Sequence, residues 1–270
     1  MLKVRVLTVL LLLPLLLAAL FYLPDTGWAL LMLGVALIGA YEWSKISAFS
    51  GFQSAAYVLL TLFIGLALFL ESSHSANFIL YGVAFLFWAI LVPLWLYYQW
   101  RTRQWTIMAL IGWVILVPTW LALVELRSYG PGLLLGLLAV VWIADSAAYF
   151  SGRKFGRHKL APAISPGKTW EGVAGAFLGV TLYGIAWGMW DNTSVPFNSG
   201  LWRGVVLLWM LTLFSILGDL FESWMKRVAG LKDSGRILPG HGGVLDRIDA
   251  LTAAMPLAAF GLLLKNYYVL

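Results

Sequence analysis

Apolar runs long enough to cross a bilayer recur along almost the whole chain. A helix of about 20 residues spans the roughly 30 Å of membrane hydrocarbon, where every backbone polar group needs an internal hydrogen-bond partner. The sequence does not show the ten-residue alternation that is typical of membrane β-barrels. It therefore predicts an all-α fold, a polytopic transmembrane helical bundle of about nine spans. The predicted spans are residues 6–23, 27–43, 54–70, 77–98, 105–124, 131–150, 171–190, 202–222 and 248–265.

The composition supports a membrane protein and excludes several kinds of site. Apolar residues make up 61% of the 270 residues and charged residues only 11%, whereas about a quarter of a soluble domain is charged. The absence of cysteine excludes disulfides, thiolate metal ligands and cysteine nucleophiles. The net charge of +6 is dispersed among the spans. We therefore predict contact with membrane lipids and no nucleic-acid partner.

Lysine and arginine are distributed unevenly between the two sides of the predicted bundle. If the N-terminus is cytoplasmic, all 18 except Arg127, Arg203 and Lys265 lie in cytoplasmic segments. Cytoplasmic loops typically carry such an excess, and nine spans then place the C-terminus outside. The first run follows basic residues, as in a signal peptide. Leu-Pro-Asp at 23–25 is not a small-residue cleavage site, so we interpret this run as an uncleaved span.

Two predicted cytoplasmic loops, 151–170 and 223–247, are much longer than the others and are rich in glycine, proline and charge. The connections within the first 130 residues are short. We therefore predict that residues 1–130 form a transmembrane scaffold. Residues 131–270 would form the catalytic region, because functional residues concentrate in loops held by a rigid scaffold.

Four acidic residues lie in or beside the last apolar runs: Asp145, Asp219, Asp246 and Asp249. A carboxylate at the centre of a membrane helix costs about 2.5–3.5 kcal/mol and needs compensation. Asp246 and Asp249 share one face of a helix, and Asp219 ends the preceding span. Three carboxylates favour Mg²⁺ over zinc, so we predict that Asp219, Asp246 and Asp249 are magnesium ligands. Alternatively, the acids lie at headgroup level and only neutralise nearby basic residues.

Basic residues alternate with these acids in the second long loop. With a magnesium site and flexible glycines, they describe a polyphosphate site. Alternatively, they satisfy the positive-inside bias or bind anionic lipid. His241 would orient a phosphate or stabilise the turn. The predicted site residues of this loop are Ser223, Lys226, Arg227, Lys232, Arg236, His241, Gly242, Gly243 and Arg247.

The first long loop contains ISPGKTWEG, residues 164–172. Its Gly-Lys-Thr resembles the end of a P-loop, but Pro162 stands where that motif requires glycine, and no strand is predicted before it. We predict a turn entering a helix, with Lys168 and Thr169 available for phosphate. A simple helix start capped by Ser165 or Thr169 fits equally well, and the two roles are compatible.

These polar residues resemble the signature of the CDP-diacylglycerol synthases, also called phosphatidate cytidylyltransferases. The resemblance rests on Ser223-x-x-Lys226-Arg227-x4-Lys232-Asp233 and then Pro239-Gly240-His241-Gly242-Gly243-x-x-Asp246-Arg247-x-Asp249, without departure. The segment DSAAYFSGRKFGRHKLAPAISPGKTWEG, which begins at Asp145, is similar to a second stretch of that family. The resemblance covers about residues 140–250. The first 130 residues share only their hydrophobic spans.

The resemblance implies a nine-span, dimeric enzyme of the bacterial inner membrane that joins CTP and phosphatidate into CDP-diacylglycerol and releases pyrophosphate. It implies that Asp219 and Asp246 hold the catalytic Mg²⁺, with Asp249 nearby and room for a second cation such as K⁺. We accordingly assign catalysis to Asp219, Asp246, Asp249 and Lys226. Substrate binding is assigned to Asp145, Lys168, Thr169 and the remaining site residues of the second loop.

Two other functions fit parts of this pattern. A CTP-dependent kinase for a polyprenol or phytol shares the metal and nucleotide chemistry but transfers the γ-phosphoryl group. A cation- or proton-coupled transporter also uses acids within the membrane. Transporters place such groups near the bilayer midplane on broken helices, whereas here the charges cluster in long loops.

Overall fold

The computed structural model describes residues 2–71, 74–191, 196–197 and 200–268, and these residues are almost entirely helical. The helices are α1 (Leu2–Tyr22), α2 (Asp25–Ile46), α3 (Gly51–Glu71), α4 (His74–Leu86), α5 (Val92–Tyr98), α6 (Trp105–Ser128), α7 (Pro131–Phe155), α8 (Trp170–Trp190), α9 (Leu201–Ala229) and α10 (Leu245–Tyr268). A π-helical turn, Phe87–Leu91, joins α4 to α5. Two short strands, β1 (Lys159–Ala161) and β2 (Ser165–Thr169), form an antiparallel hairpin.

The number of spans agrees with the sequence. Within the described residues, eight helices are long and apolar enough to cross a membrane, with α4, the π-helical turn and α5 counted as one span. A shorter apolar helix, Thr8–Tyr22, lies within α1. The predicted helical bundle of about nine spans is therefore confirmed, with the β-hairpin as a small addition to an all-α fold.

Two predicted boundaries are wrong at the ends of α7 and α9. These helices run on to Phe155 and Ala229, so parts of both predicted loops are helical. Helix α9 continues beyond residue 222 because the polar residues that follow are compatible with a helix. It ends where Gly230 adopts a left-handed conformation (φ 73°). The functional side chains of residues 223–227 consequently stand on a rigid helix.

Tryptophan side chains tie α2 to α6 in an antiparallel pair. The indole N–H of Trp43 donates to the carbonyl of Met108 at 2.7 Å, and that of Trp28 donates to Leu123 at 3.0 Å. In the reverse direction, Trp120 donates to Ala29 at 2.9 Å. Buried indole N–H groups need such partners. The pair gives the N-terminal half a fixed framework.

Small residues bring the C-terminal helices close together. A side chain on Gly179 of α8 would collide with Ala147 of α7, and one on Gly218 of α9 would lie 2.5 Å from the carbonyl oxygen of Asp249 in α10. Small residues at such contacts are typical of membrane helix packing. The Gly218 contact sets Asp219 beside the first turns of α10.

Helix α10 packs against α4 and α6 of the N-terminal half as well as against α9. The proposed division of the chain at residue 130 therefore stays a prediction about function, because the two halves share one packed core.

One end of the bundle, here called the loop end, carries the hairpin and the signature loop, residues 230–244. The hydroxyl of Thr8 in α1 donates to the carbonyl of Pro239 at 3.1 Å, so the start of α1 also lies at this end. At the opposite end, the buried Arg127 forms an ion pair with Asp25 at 2.6 Å.

Candidate active site

A cavity of about 660 Å³ opens between α7, α8, α9 and the hairpin. Its volume is in the range of small-molecule sites. Its charged lining residues are Asp145, Arg153, Lys159, Lys168 and Asp219. The cavity therefore joins residues of the first long predicted loop to Asp145 of α7 and Asp219 of α9.

The hairpin brings Lys168 to this cavity. Lys159 pairs with Thr169 and Ala161 pairs with Ser165 across the two strands. The predicted Gly-Lys-Thr turn is therefore wrong: Lys168 lies in β2, because backbone pairing with β1 keeps the chain extended until α8 begins. Thr169 caps α8 by accepting a hydrogen bond from the Gly172 amide at 3.1 Å, which confirms its predicted capping role.

Asp219 has a partner for each of its carboxylate oxygens. Oδ2 lies 2.6 Å from the ammonium group of Lys168, and Oδ1 accepts a hydrogen bond from Ser223 at 3.2 Å. Asp145 lines the same cavity and interacts electrostatically with Asp219, Lys168 and Arg247. The sequence-predicted residues Asp145, Lys168, Asp219, Ser223 and Arg247 thus belong to one site.

Asp246, in the first turn of α10, is held by three residues from α9 and the signature loop. Its Oδ1 lies 2.5 Å from the ammonium group of Lys226. Its Oδ2 accepts from the amides of Ser234 and Gly243, both at 2.8 Å, and lies 3.0 Å from the hydroxyl oxygen of Ser234. Charge-assisted bonds of this kind fix a carboxylate firmly. The signature loop and α9 together therefore define the position of Asp246.

Lys226 also lies 3.2 Å from Glu222, one turn earlier on α9, and both side chains are buried. Asp249 interacts electrostatically with Glu222 and Asp219. Lys226 therefore stands among several acids, which explains why a cation is tolerated there.

The proposed magnesium ligands do not form a ready-made cage in the part of the chain that the structure describes. There, no group of three or more histidine or acidic side chains has a metal-binding arrangement. Asp219 and Asp246 each contact a lysine instead. Their hard oxygen donors still suit Mg²⁺ chemically, so this assignment stays a prediction.

The other predicted residues of the second loop have varied settings. Lys232 and Arg236 are exposed on the signature loop. Arg227 donates to the carbonyls of Ile164 and Leu231, which joins the hairpin connection to the signature loop. Arg247 donates to the carbonyl of His241 at 3.1 Å, and the His241 amide closes a turn onto Leu238. The structure thus places His241 within the turn.

The glycines of the signature loop allow close approach to carboxylates. Gly242 has a φ of 84°, and a side chain there would lie 2.6 Å from Oδ2 of Asp246. A side chain on Gly243 would overlap the hydroxyl of Ser234 and lie 2.5 Å from both carboxylate oxygens of Glu42. The sequence suggests glycines that admit phosphate. The structure gives a second reason for glycine at positions 242 and 243, because a side chain there would collide with the groups packed around Asp246 and Glu42.

Glu42 of α2 is the residue that the sequence interpretation missed. It is 1% exposed and accepts hydrogen bonds from Ser234, Val244 and Leu245. The available signal was an acid near the end of the predicted span 27–43, where it is the only charged residue. Because residues 1–130 are predicted to be scaffold, the sequence interpretation assigns this acid no function.

The fold and the site together define a polytopic membrane protein with paired acids and bases gathered at one end of its helical bundle. The family model described as the cytidylyltransferase family matches residues 3–264, and the chain therefore belongs to that family.

Named relatives match over nearly the whole chain. The phosphatidate cytidylyltransferase of Haemophilus influenzae is 34% identical over 96% of this chain and 98% of its own length. That of Pseudomonas aeruginosa is 39% identical over 96% of both chains. That of Brucella suis is 38% identical over 86% of this chain and 82% of its own. The resemblance of this chain to the family is confirmed.

Proposed function

We propose that this protein transfers the cytidylyl group of CTP to phosphatidate, forming CDP-diacylglycerol and pyrophosphate in a bacterial membrane. The observation that carries the proposal is the Lys168–Asp219 ion pair that lines the cavity, together with the Lys226–Asp246 ion pair further along α9 at the loop end. Relatives that match this chain over nearly its whole length are named for the same reaction.

The reaction joins two anions. A phosphate oxygen of phosphatidate attacks the α-phosphorus of CTP, the bond between the α-phosphorus and the bridging oxygen to the β-phosphorus breaks, and pyrophosphate leaves with that oxygen. Catalysis of such a transfer depends on positioning and charge stabilisation. Lys168 and Lys226 supply positive charge where these phosphates would meet.

The two substrates have chemically distinct places at the loop end. The cavity carries Arg153, Lys159 and Lys168 together with the exposed aromatic side chain of Tyr149, and the exposed Trp170 follows the lining residue Thr169 in the chain. Amphipathic aromatic rings favour the membrane interface, so this arrangement suits the phosphate of a lipid. Exposed basic residues of the second loop are open to the water-soluble triphosphate; these are Lys232, Arg236 and Arg247.

Asp219, Asp246 and Asp249 would hold the magnesium ion, and a second cation such as K⁺ fits the same acidic surroundings. When bound, the ion would neutralise phosphate oxygens and stabilise the leaving pyrophosphate. Because Lys168 and Lys226 already pair with two of these acids, the same lysines are placed to turn toward phosphate oxygens.

The purified protein in detergent, given Mg²⁺, phosphatidate and CTP labelled at the α-phosphate, tests the function directly. We expect label in the lipid phase and loss of this transfer with EDTA. A control with CTP labelled at the γ-phosphate should leave the lipid unlabelled. Lipid labelled only from the γ-position would instead identify a lipid kinase. Label that remains in the aqueous phase would overturn the proposed function. Transfer that survives rigorous chelation would overturn the metal assignment.

Lys168→Ala should raise the KM for phosphatidate about 10- to 100-fold, because a charge-assisted contact to its phosphate is lost. Lys154→Ala is the matched control, since Lys154 is an exposed cation of the same segment that lies over the Phe155 ring rather than in the cavity. Unchanged kinetics for Lys168→Ala would leave Thr169 capping as the function of this segment.

We also propose that the loop end faces the cytoplasm. The charge distribution supports this orientation, because the loop end carries most of the lysine and arginine. A C-terminal reporter that is active only in the cytoplasm should stay inactive, whereas the same reporter fused to the N-terminus should be active. The reverse result would invert the topology.

The homodimer implied by the family resemblance is a further proposal, and a monomer mass in detergent by analytical ultracentrifugation would reject it.

A further inference from the structure

Glu42 is a buried acid far from the signature residues in sequence but in direct contact with them. Its Oε1 accepts from the Val244 amide at 3.0 Å, and its Oε2 accepts from the Leu245 amide at 2.8 Å. These amides lie at the N-terminus of α10, where a negative charge is favourable. Helix α2 therefore supplies the N-terminal cap of α10 from another part of the chain.

One hydroxyl group connects this cap to Asp246. Ser234 Oγ lies 3.0 Å from Oε2 of Glu42 and 3.0 Å from Oδ2 of Asp246. The Ser234 amide donates to Asp246 as well. Because Asp246 is the second residue of α10, a shift of the helix start would move its carboxylate away from Lys226.

Two glycines of the signature loop pack directly against the Glu42 carboxylate. A side chain at Gly235 would overlap Oε1 of Glu42, and one at Gly243 would press on both of its oxygens. Both glycines belong to the signature loop. The loop is thus shaped around the Glu42 carboxylate.

We propose that Glu42 is a positioning residue for cytidylyl transfer, which holds the signature loop and the N-terminus of α10 so that the Asp246 carboxylate keeps its place beside Lys226. The proposal rests on the proposed function for its kinetic consequence. Its structural part, the cap across helices, can be tested without substrate or metal.

Glu42→Gln is the first test, because glutamine offers one acceptor oxygen where two amides and a hydroxyl need acceptors. We expect kcat to fall about 30-fold or more, and the Mg²⁺ concentration for half-maximal rate to rise about 10-fold. The KM for phosphatidate should change little, since Glu42 does not line the cavity. In metal-free protein, amide exchange at 244–246 should be at least about 10-fold faster.

Glu125→Gln is the matched control. Glu125 accepts hydrogen bonds from Tyr81 and Asn77 near the Leu123 end of α6, away from the signature loop. The Glu125→Gln variant should leave the magnesium dependence and the amide hydrogen exchange at residues 244–246 unchanged. A similar change in both variants would show that general destabilisation, rather than positioning, causes the effect and would overturn the proposal.

Gly235→Ala provides a second route if Glu42→Gln does not fold, because it displaces the carboxylate while the charge stays. Gly261→Ala in α10, where a side chain meets nothing within 4 Å, is its control. A Glu42→Gln or Gly235→Ala protein with kcat within about threefold of wild type, a difference below 1 kcal/mol, would overturn the proposal. Failure of the wild-type protein to transfer label would overturn the proposed function instead, and the exchange measurement would still test the cap.

Discussion

Asp246→Asn should reduce turnover about 1000-fold or more, a barrier increase of roughly 4 kcal/mol, while the protein keeps its size in detergent. Asparagine keeps the volume and one acceptor oxygen. It removes the charge that pairs with Lys226 at 2.5 Å and that would bind Mg²⁺. Initial rates and gel-filtration profiles of the variant measure both parts of this expectation.

The alternative role for Asp246 is neutralisation of Lys226. In that case, Asp246→Asn should fold poorly, and an added Lys226→Met should restore folding. Asp25→Asn, which removes the acidic partner of Arg127 at the opposite end, is the control for loss of an ion pair. A well-folded Asp246→Asn protein that keeps more than about a tenth of normal activity would refute a central metal role for this acid.

Asp219→Asn should have a similarly large effect for a different structural reason. Asp219 stands on α9, accepts from Ser223 and pairs with Lys168 of the hairpin. Loss of its charge would release Lys168 and remove one of the proposed magnesium ligands. We expect a loss of turnover of about 1000-fold, with little change in the size of the detergent complex.

The double variant Asp219→Asn/Asp246→Asn tests whether the two acids serve one step. Residues that act as one unit give a double variant little worse than either single variant. Losses that instead multiply would show independent roles, and the shared-ion assignment would then fail. The opposite-end variant Asp25→Asn, combined with either single change, measures how much loss arises from additional destabilisation alone.

Glu42 changes how the two halves of the chain contribute to the site. The first 130 residues match the family resemblance only as hydrophobic spans, which suggested a passive scaffold. The contacts of Glu42 with Ser234, Val244 and Leu245 make α2 a direct support of the signature loop. Catalytic residues need such supports to keep their geometry, so we expect the predicted scaffold to contribute to the site through α2, and the boundary at residue 130 stays a prediction.

The sequence by itself determined the membrane bundle and identified most residues of the candidate site. Spans such as 27–43 and 131–150 can be predicted because an apolar run in lipid must form a helix, in which its backbone polar groups hydrogen-bond to one another. Asp145, Asp219 and Asp246 stand out because charge in an apolar run is costly and needs a function or a partner. Close spacing along the chain was enough to group Asp246 with Asp249 and with the basic residues of the second loop.

Only the tertiary structure decided which acid meets which base. Lys168 reaches Asp219 across fifty residues because a hairpin forms, and Lys226 reaches Asp246 because α9 extends past its predicted end. The role of Glu42 depends on contacts about two hundred residues apart, which no local pattern encodes. Ion pairs and caps of this kind arise from the packing of whole helices, and the side chains involved look alike in the sequence until that packing is known.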